Sequence, residues 1–206
     1  MKRLPDGNLT VVAGRTRSGK TLSTRKAVKL ENRLFVFDPK AEWSKGAGCL
    51  SVTSVQSFFD LAWKARGGPI KTVLVSSSPS DFLLWASGVF LAGRVGHFFG
   101  KKTVVIAEEL SSLSNPGKAK GGWHQLLTQG LGFSIDIWCI LQRPAECDTT
   151  CFGNATRLRC FALTREADRV RMARELDIDV RFLAALKPLE YYERNMLTGV
   201  VTKKLA

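Results

Sequence analysis

The sequence is short of acidic residues. Against 31 lysines and arginines stand 18 aspartates and glutamates, leaving a net charge of +13. Such a surplus implies a polyanionic partner, with nucleic acid the usual one and a membrane surface another. No polybasic run accounts for it, so the charge belongs to a folded face or channel rather than to a tail. The chain also lacks a disulfide framework: its five cysteines are odd in number and scattered. Cys147 and Cys151 have no matching Cys/His pair nearby in sequence, so free thiols in a reducing cytoplasm are expected rather than zinc. Met1–Pro5 has no apolar core and does not read as a secretory signal. The most apolar stretch, Phe82–Phe99, meets Arg94 well before the roughly 20 residues a bilayer demands. It reads as a helix that is buried or that touches a partner or membrane surface. Internal repeats and low-complexity tracts are absent.

What is present is alternation. With 206 residues, 45% of them hydrophobic, the chain has enough material for one sizeable core. Strand-like runs at 8–13, 33–37, 71–76, 103–107, 135–141 and 157–163 are interleaved with helical segments at 21–30, 54–65, 80–99, 123–130 and 165–176. This pattern predicts an α/β fold, a mostly parallel central sheet with helices on both faces. The expected organisation is a single domain over 1–206, its core at about 9–175, followed by a C-terminal helix and hairpin extension over 176–206. The hairpin turns around Leu197-Thr198-Gly199. Gly46–Gly48 and Ser111–Gly122 read as loops of functional size.

The first strand runs into Gly14-Arg15-Thr16-Arg17-Ser18-Gly19-Lys20-Thr21. This stretch fits G-x-x-x-x-G-K-[ST] without a mismatch, in the strand–loop–helix setting the motif requires. The glycines let successive N–H groups point inward at phosphates, and the following helix adds its positive end. Lys20 is expected on the β/γ-phosphates and Thr21 on Mg²⁺, so the chain binds ATP or a close relative. Arg15 and Arg17 contact phosphate or DNA, or are solvated.

A P-loop needs an acid at a neighbouring strand tip. Val104-Val105-Ile106-Ala107-Glu108-Glu109 supplies two. In the preferred register Glu108 completes the metal shell and Glu109 is the general base for the attacking water. In the other register Ala107 takes the metal position and Glu108 is the base. Gln142, after the strand 135–141, is placed to sense the γ-phosphate.

The order of these motifs resembles the FtsK/HerA superfamily of DNA-pumping ATPases. Besides the P-loop and the acidic strand end, Phe37-Asp38-Pro39-Lys40-Ala41-Glu42, Leu141-Gln142-Arg143-Pro144 and Asn154-Ala155-Thr156-Arg157-Leu158 carry the likeness, which covers roughly 9–175. With its short length the chain looks most like the genome-packaging ATPases of tailless icosahedral viruses with internal membranes. The resemblance implies a RecA-like fold and a homo-oligomeric ring, commonly a hexamer, around double-stranded DNA. It implies hydrolysis at subunit interfaces, action in the host cytoplasm and at the packaging vertex of the virion, and capsid-vertex or viral membrane proteins as further partners. Arg143, Arg157 and Arg159 are candidates for an arginine acting in trans, with Arg157 matching the family segment best. Lys118 and Lys120 are candidates for the DNA channel, and Lys101 and Lys102 face that channel or water. The competing functions are a filamentous-phage-type assembly ATPase, a small-molecule kinase and a DNA-binding protein switched by ATP.

Overall fold

The computed structural model describes residues 4–44, 48–114 and 116–206. The expected strands are β1 (Leu9–Ala13), β2 (Arg33–Phe37), β4 (Ile70–Leu74), β5 (Thr103–Ala107), β6 (Ile135–Leu141) and β7 (Arg157–Phe161). The central ones form as apolar runs buried on both faces, as helices laid over a parallel sheet require, while β4 and β7 are partly exposed. A short β3 (Leu50–Val52) was not foreseen. Its three residues lie at the sheet edge, two exposed and one partly buried, and so carry no hydrophobic pattern. β8 (Glu190–Asn195) and β9 (Val201–Leu205) form the expected hairpin, and Gly199 at its turn takes φ +70°.

The nine strands lie in the order β3-β4-β2-β5-β6-β1-β7-β8-β9. All pairings from β3 to β7 are parallel, and only β7–β8 and β8–β9 are antiparallel. β6 sits between β1 and β5, with Ala13 opposite Leu141 and Ala107 opposite Cys139. The P-loop, the tip of β6 and the two acids therefore emerge side by side at one end of the sheet.

α1 (Lys20–Val28) covers one face together with Trp43. The other face carries α2 (Val55–Ala65), α3 (Pro79–Phe98), α4 (Leu110–Leu113), α5 (Gly121–Gln129), α6 (Thr149–Gly153), α7 (Glu166–Leu176) and α8 (Val180–Ala184). Its centre is aromatic: Phe37, Phe58, Phe82, Trp85 and Trp123 meet with ring centroids 5.1–6.3 Å apart. α3 begins where Pro79 fixes φ for a first turn and Ser78 caps the Asp81 N–H.

The long loop expected over 111–122 is shorter. Residues 110–113 coil into α4 because Leu110 and Leu113 are buried, and α5 already starts at Gly121. Asn115, Gly46, Ala47 and the first three residues lie outside the described residues.

Candidate active site

The P-loop is tied to the ends of the two strands that flank its own. The Arg15 N–H bonds to the Ala162 carbonyl at 2.8 Å, and Gly14 is packed so closely that a Cβ would lie 2.6 Å from Ser18 Oγ. Gly19 precedes α1 with φ +110°, and no side chain caps that helix. Its first N–H groups are left for an anion. Ser18 Oγ is buried without a hydrogen-bond partner, and Lys20 Nζ folds back onto the Arg15 carbonyl at 2.9 Å. A buried cation resting on a main-chain carbonyl, beside an orphaned hydroxyl and an uncapped helix, is a cradle suited to phosphate. Burial pushes the Lys20 ammonium pKa down, and the Glu109 and Glu108 charges hold it partly up.

The two acids face different groups. Glu108 is buried; its Oε1 accepts from Trp43 Nε1 at 2.7 Å and lies 3.5 Å from Thr21 Oγ1. Glu42 Oε2 is 3.4 Å from the same hydroxyl. Burial raises the Glu108 pKa to about 7; the Trp43 bond opposes the rise, and Asp38, Glu109 and Glu42 add to it. A hydroxyl ringed by carboxylates in this way is a donor set suited to a hard divalent cation.

Glu109 turns the other way. It adopts φ +53°, ψ 36° ahead of α4, a left-handed conformation that a side chain pays for and that concentrates at functional sites. Its Oε1 receives Lys40 Nζ at 2.8 Å and the Gln142 amide N–H. Gln142 Oε1 in turn accepts from Thr16 Oγ1 of the P-loop at 3.0 Å. A continuous hydrogen-bonded run thus joins the P-loop, the tip of β6 and the second acid.

The segment 37–42 is legible in the sequence as a motif, but the task of its residues is not. Asp38 shapes the turn by accepting the Lys40 N–H at 3.0 Å and the Trp43 N–H at 2.7 Å. That turn delivers Lys40 to Glu109 and Trp43 to Glu108. Trp43 itself gave no signal, since a tryptophan after such a motif reads as core.

Of the three arginines, Arg143 lies near its own P-loop, its Nε on Asp168 Oδ2 at 2.8 Å and a second nitrogen on Glu146 at 2.6 Å. Arg159, a candidate for the trans arginine, is not at a strand end. It sits mid-strand, committed to Glu193 and to Ser23 Oγ at 3.1 Å. Arg157 opens β7 opposite Thr10, at the far end of the sheet from its own P-loop. Lys118 and Lys120 are exposed in the segment that leads from α4 to α5. Gly117 there is held by the Thr149 N–H at 2.7 Å. Lys102 binds Glu31 at 3.2 Å and Asp136 at 2.6 Å. Arg15 and Arg17 are exposed.

No protein-family model matches the chain. Protein P9 of Pseudoalteromonas phage PM2 is 28% identical over 179 residues, covering 86% of this chain and 78% of that protein. The genome packaging NTPase B204 from Sulfolobus turreted icosahedral virus 2, solved with AMPPCP, superposes with a TM-score of 0.73 at 15% identity, over 97% of this chain and 98% of that one. B204 from Sulfolobus turreted icosahedral virus, a DNA-packaging ATPase, gives a TM-score of 0.75 at 16% identity, over 98% and 100%. The chain has the P-loop NTPase fold. These two structural neighbours are genome-packaging NTPases, the group to which the order of motifs pointed. The cytoplasmic domain of the Thermomonospora curvata type VII secretion ATPase EccC also superposes, with a TM-score of 0.63 at 13% identity over 96% of this chain and 25% of that one. In this P-loop NTPase fold the mouth of the site opens toward Arg15, Thr16, Gln142, Arg143 and Arg165. No helix among the described residues is long and apolar enough to cross a membrane.

Proposed function

We propose that the chain is an ATPase that drives double-stranded DNA into a viral capsid, working as a homo-oligomeric ring, most simply a hexamer. The observation that carries the hydrolase reading is the run Thr16–Gln142–Glu109, which ties the Glu109 carboxylate, also held by Lys40, to the mouth of a P-loop. Lys20 and the loop N–H groups would bind the β- and γ-phosphates. Thr21 and Glu108 would hold Mg²⁺, which when bound neutralises charge on the phosphate oxygens. Glu109 would take the proton of the water that attacks the γ-phosphorus as the bond to ADP breaks. Gln142 would orient that water and report the presence of the γ-phosphate. Arg157, remote from its own site, would act on a neighbour's.

Charge supports the DNA reading, and so does connectivity. The chain leaves Glu109, turns through α4 and enters the exposed segment with Lys118 and Lys120, so a change at the base is passed to a basic loop. The packaging role follows the likeness to B204, and capsid-vertex or viral membrane proteins would then anchor the ring.

The test is ATP turnover titrated with double-stranded DNA, with binding measured across salt. Stimulated turnover and sequence-insensitive binding that weakens steeply with salt are expected. The double variant Lys118→Ala, Lys120→Ala should flatten the log–log salt slope by about two units if both touch phosphates. Turnover indifferent to DNA, together with no DNA binding, would refute the motor and leave the hydrolase.

A further inference from the structure

A cluster of buried thiols takes no part in the nucleotide site. Cys147 and Cys151 have no second Cys/His pair near them in sequence, but the fold brings further donors. Asp148 sits beside Cys147, and Cys139 arrives from β6. The sulfurs of Cys147 and Cys151 are 3.7 Å apart. Asp148 Oδ2 lies 3.9 Å from Cys147 Sγ, and one donor atom from each of these three residues falls within 4.8 Å of the others. The Cys139 thiol is in hydrogen-bond contact with that of Cys151. None of the four residues is more than 3% exposed.

The carboxylate is the anomaly. Asp168 and Glu193 are also buried, and both have cations: Arg143 for the first, Arg159 and Lys204 for the second. Asp148 is fully buried and forms no ion pair among the described residues. Its Oδ1 accepts the Cys151 N–H at 3.0 Å, and its Oδ2 accepts from Trp123 Nε1 at 3.2 Å. These bonds orient the carboxylate but bring no positive charge. Buried charges in proteins are paired or coordinate a metal.

The spacing suits one metal. A tetrahedral zinc with Zn–S bonds of about 2.3 Å sets its sulfurs about 3.8 Å apart, close to the separation of Cys147 and Cys151. Sulfur donors select zinc over magnesium or calcium. An indole N–H on the ligating carboxylate is outer-shell support of the kind such sites carry. A disulfide switch fits less well. The Cys147 thiol pKa is pushed up by its bond to Cys151 and by burial, and that of Cys151 by burial and its bond to Cys139. Buried thiols of this kind are inert to oxidants, whereas a metal strips the proton from a thiol that coordinates it.

We propose that Cys139, Cys147, Cys151 and Asp148 form a structural zinc site, each coordinating thiol releasing its proton to solvent as its bond to Zn²⁺ forms. The ion would tie β6 to the start of α6. That helix holds the segment with Lys118 and Lys120, since the Thr149 N–H bonds to the Gly117 carbonyl and Thr150 Oγ1 accepts the Ala119 N–H at 2.9 Å. The site shares no residue with the P-loop, and the proposal stands or falls separately from the proposed activity.

The test is a Co²⁺ titration of the full chain, reduced and stripped with chelator, with cobalt standing in for zinc. An intense thiolate-to-cobalt charge-transfer band is expected. It should saturate at a single equivalent, disappear on adding Zn²⁺ and accompany release of about two or more protons per ion. Cobalt held by oxygens at Thr21 and Glu108 gives no such band. Cys49→Ser should keep it, since that thiol packs on the other face of the sheet. Cys151→Ser should weaken Co²⁺ binding tenfold or more and leave the affinity for a fluorescent ATP analogue unchanged. Cys147→Ser is the second variant should Cys151→Ser not fold, with the same loss expected. If neither folds, the wild-type and Cys49→Ser titrations decide. No thiolate band in the reduced wild type overturns the proposal. So does a band unchanged in a folded Cys147 or Cys151 variant, or one lost in Cys49→Ser. A chain recovered with a Cys147–Cys151 disulfide that takes up no metal after reduction overturns it equally.

Discussion

The two ends of the sheet are built on different terms. Among the described residues, seven non-glycine residues have positive φ. Ser134 and Asp177 are left-handed helix C-caps, a routine way to end a helix, whereas Arg66 ends α2 at φ 46°, ψ −118°, outside that region. The others are Arg17, Ala41, Glu109 and Leu189. The first three lie in the P-loop, in the turn that carries Lys40 and Glu42, and at the second acid, and Leu189 packs against Gly19. Apart from Arg66, shortly before β4 begins, unforced strain therefore gathers where the parallel strands end. At their beginnings Lys102 bridges Glu31 and Asp136, and Asp136 also accepts the Asn8 N–H at 2.8 Å. One end spends conformational energy on placing reactive groups, and the other is bracing.

Arg157 breaks this division if it acts in trans, since it belongs to the braced end. Arginine fingers are worth roughly 10³–10⁵ in rate. Arg157→Ala is expected to bind ATP normally and to lose turnover on that scale. Mixing it with Lys20→Ala, which cannot bind ATP tightly, should restore part of the activity, because some interfaces then join an intact P-loop to an intact arginine. Specific activity that stays constant on dilution below any detectable assembly would show each subunit's site to be complete, and Arg157 would return to the bracing.

Within the strained end, Glu109→Gln should keep ATP bound and reduce turnover by about 10²-fold or more. Glutamine retains the shape but cannot take the proton. Should Glu108→Gln lose turnover while Glu109→Gln does not, the acids are read one residue out of register. Their surroundings favour the first assignment, since Glu108 faces Thr21 and Glu109 faces Gln142.

How far the sequence carried this picture depended on how local each signal was. The parallel strands were legible because burial on both faces writes an uninterrupted apolar run, as in Val104-Val105-Ile106. The P-loop was legible because its chemistry is met by one contiguous segment. β3 was not, having neither length nor burial. Nor was the assembly of Lys40 and Trp43 onto the two acids, for it depends on the Asp38 turn and on β2 lying beside β5, which no local pattern encodes. Arg159 misled for the same reason: its partner Glu193 comes from β8, far along the chain.

Glu108 gives the comparison a pH signature. Its carboxyl keeps a proton up to about 7 in the folded chain, against an ordinary 4.5. Between these values the folded state binds more protons than the unfolded one, so stability falls as pH rises and levels off above about 7. The full effect is at most about 3 kcal/mol. Urea melts in chelator, without nucleotide, should show wild type losing stability relative to Glu108→Gln from pH 5 to pH 8. Asp38, also raised by burial, titrates in both proteins and cancels in the difference. Parallel curves would mean that Glu108 ionises normally.

The smallest effect belongs to the braced end. Lys102 is 41% exposed, and its partners Glu31 and Asp136 are 32% and 14% exposed. Pairs this open to water are screened, and each contributes about 0–1 kcal/mol. Removing the lysine also leaves Asp136 its bond from the Asn8 N–H. Lys102→Ala should therefore cost no more than about 1 kcal/mol in a melt and leave ATP turnover unchanged. The salt slope of DNA binding should not move either, because an ammonium held between two carboxylates has little left to offer a phosphate. A slope lowered by about one unit would place Lys102 against the DNA backbone, and the far end of the sheet would then be part of the channel.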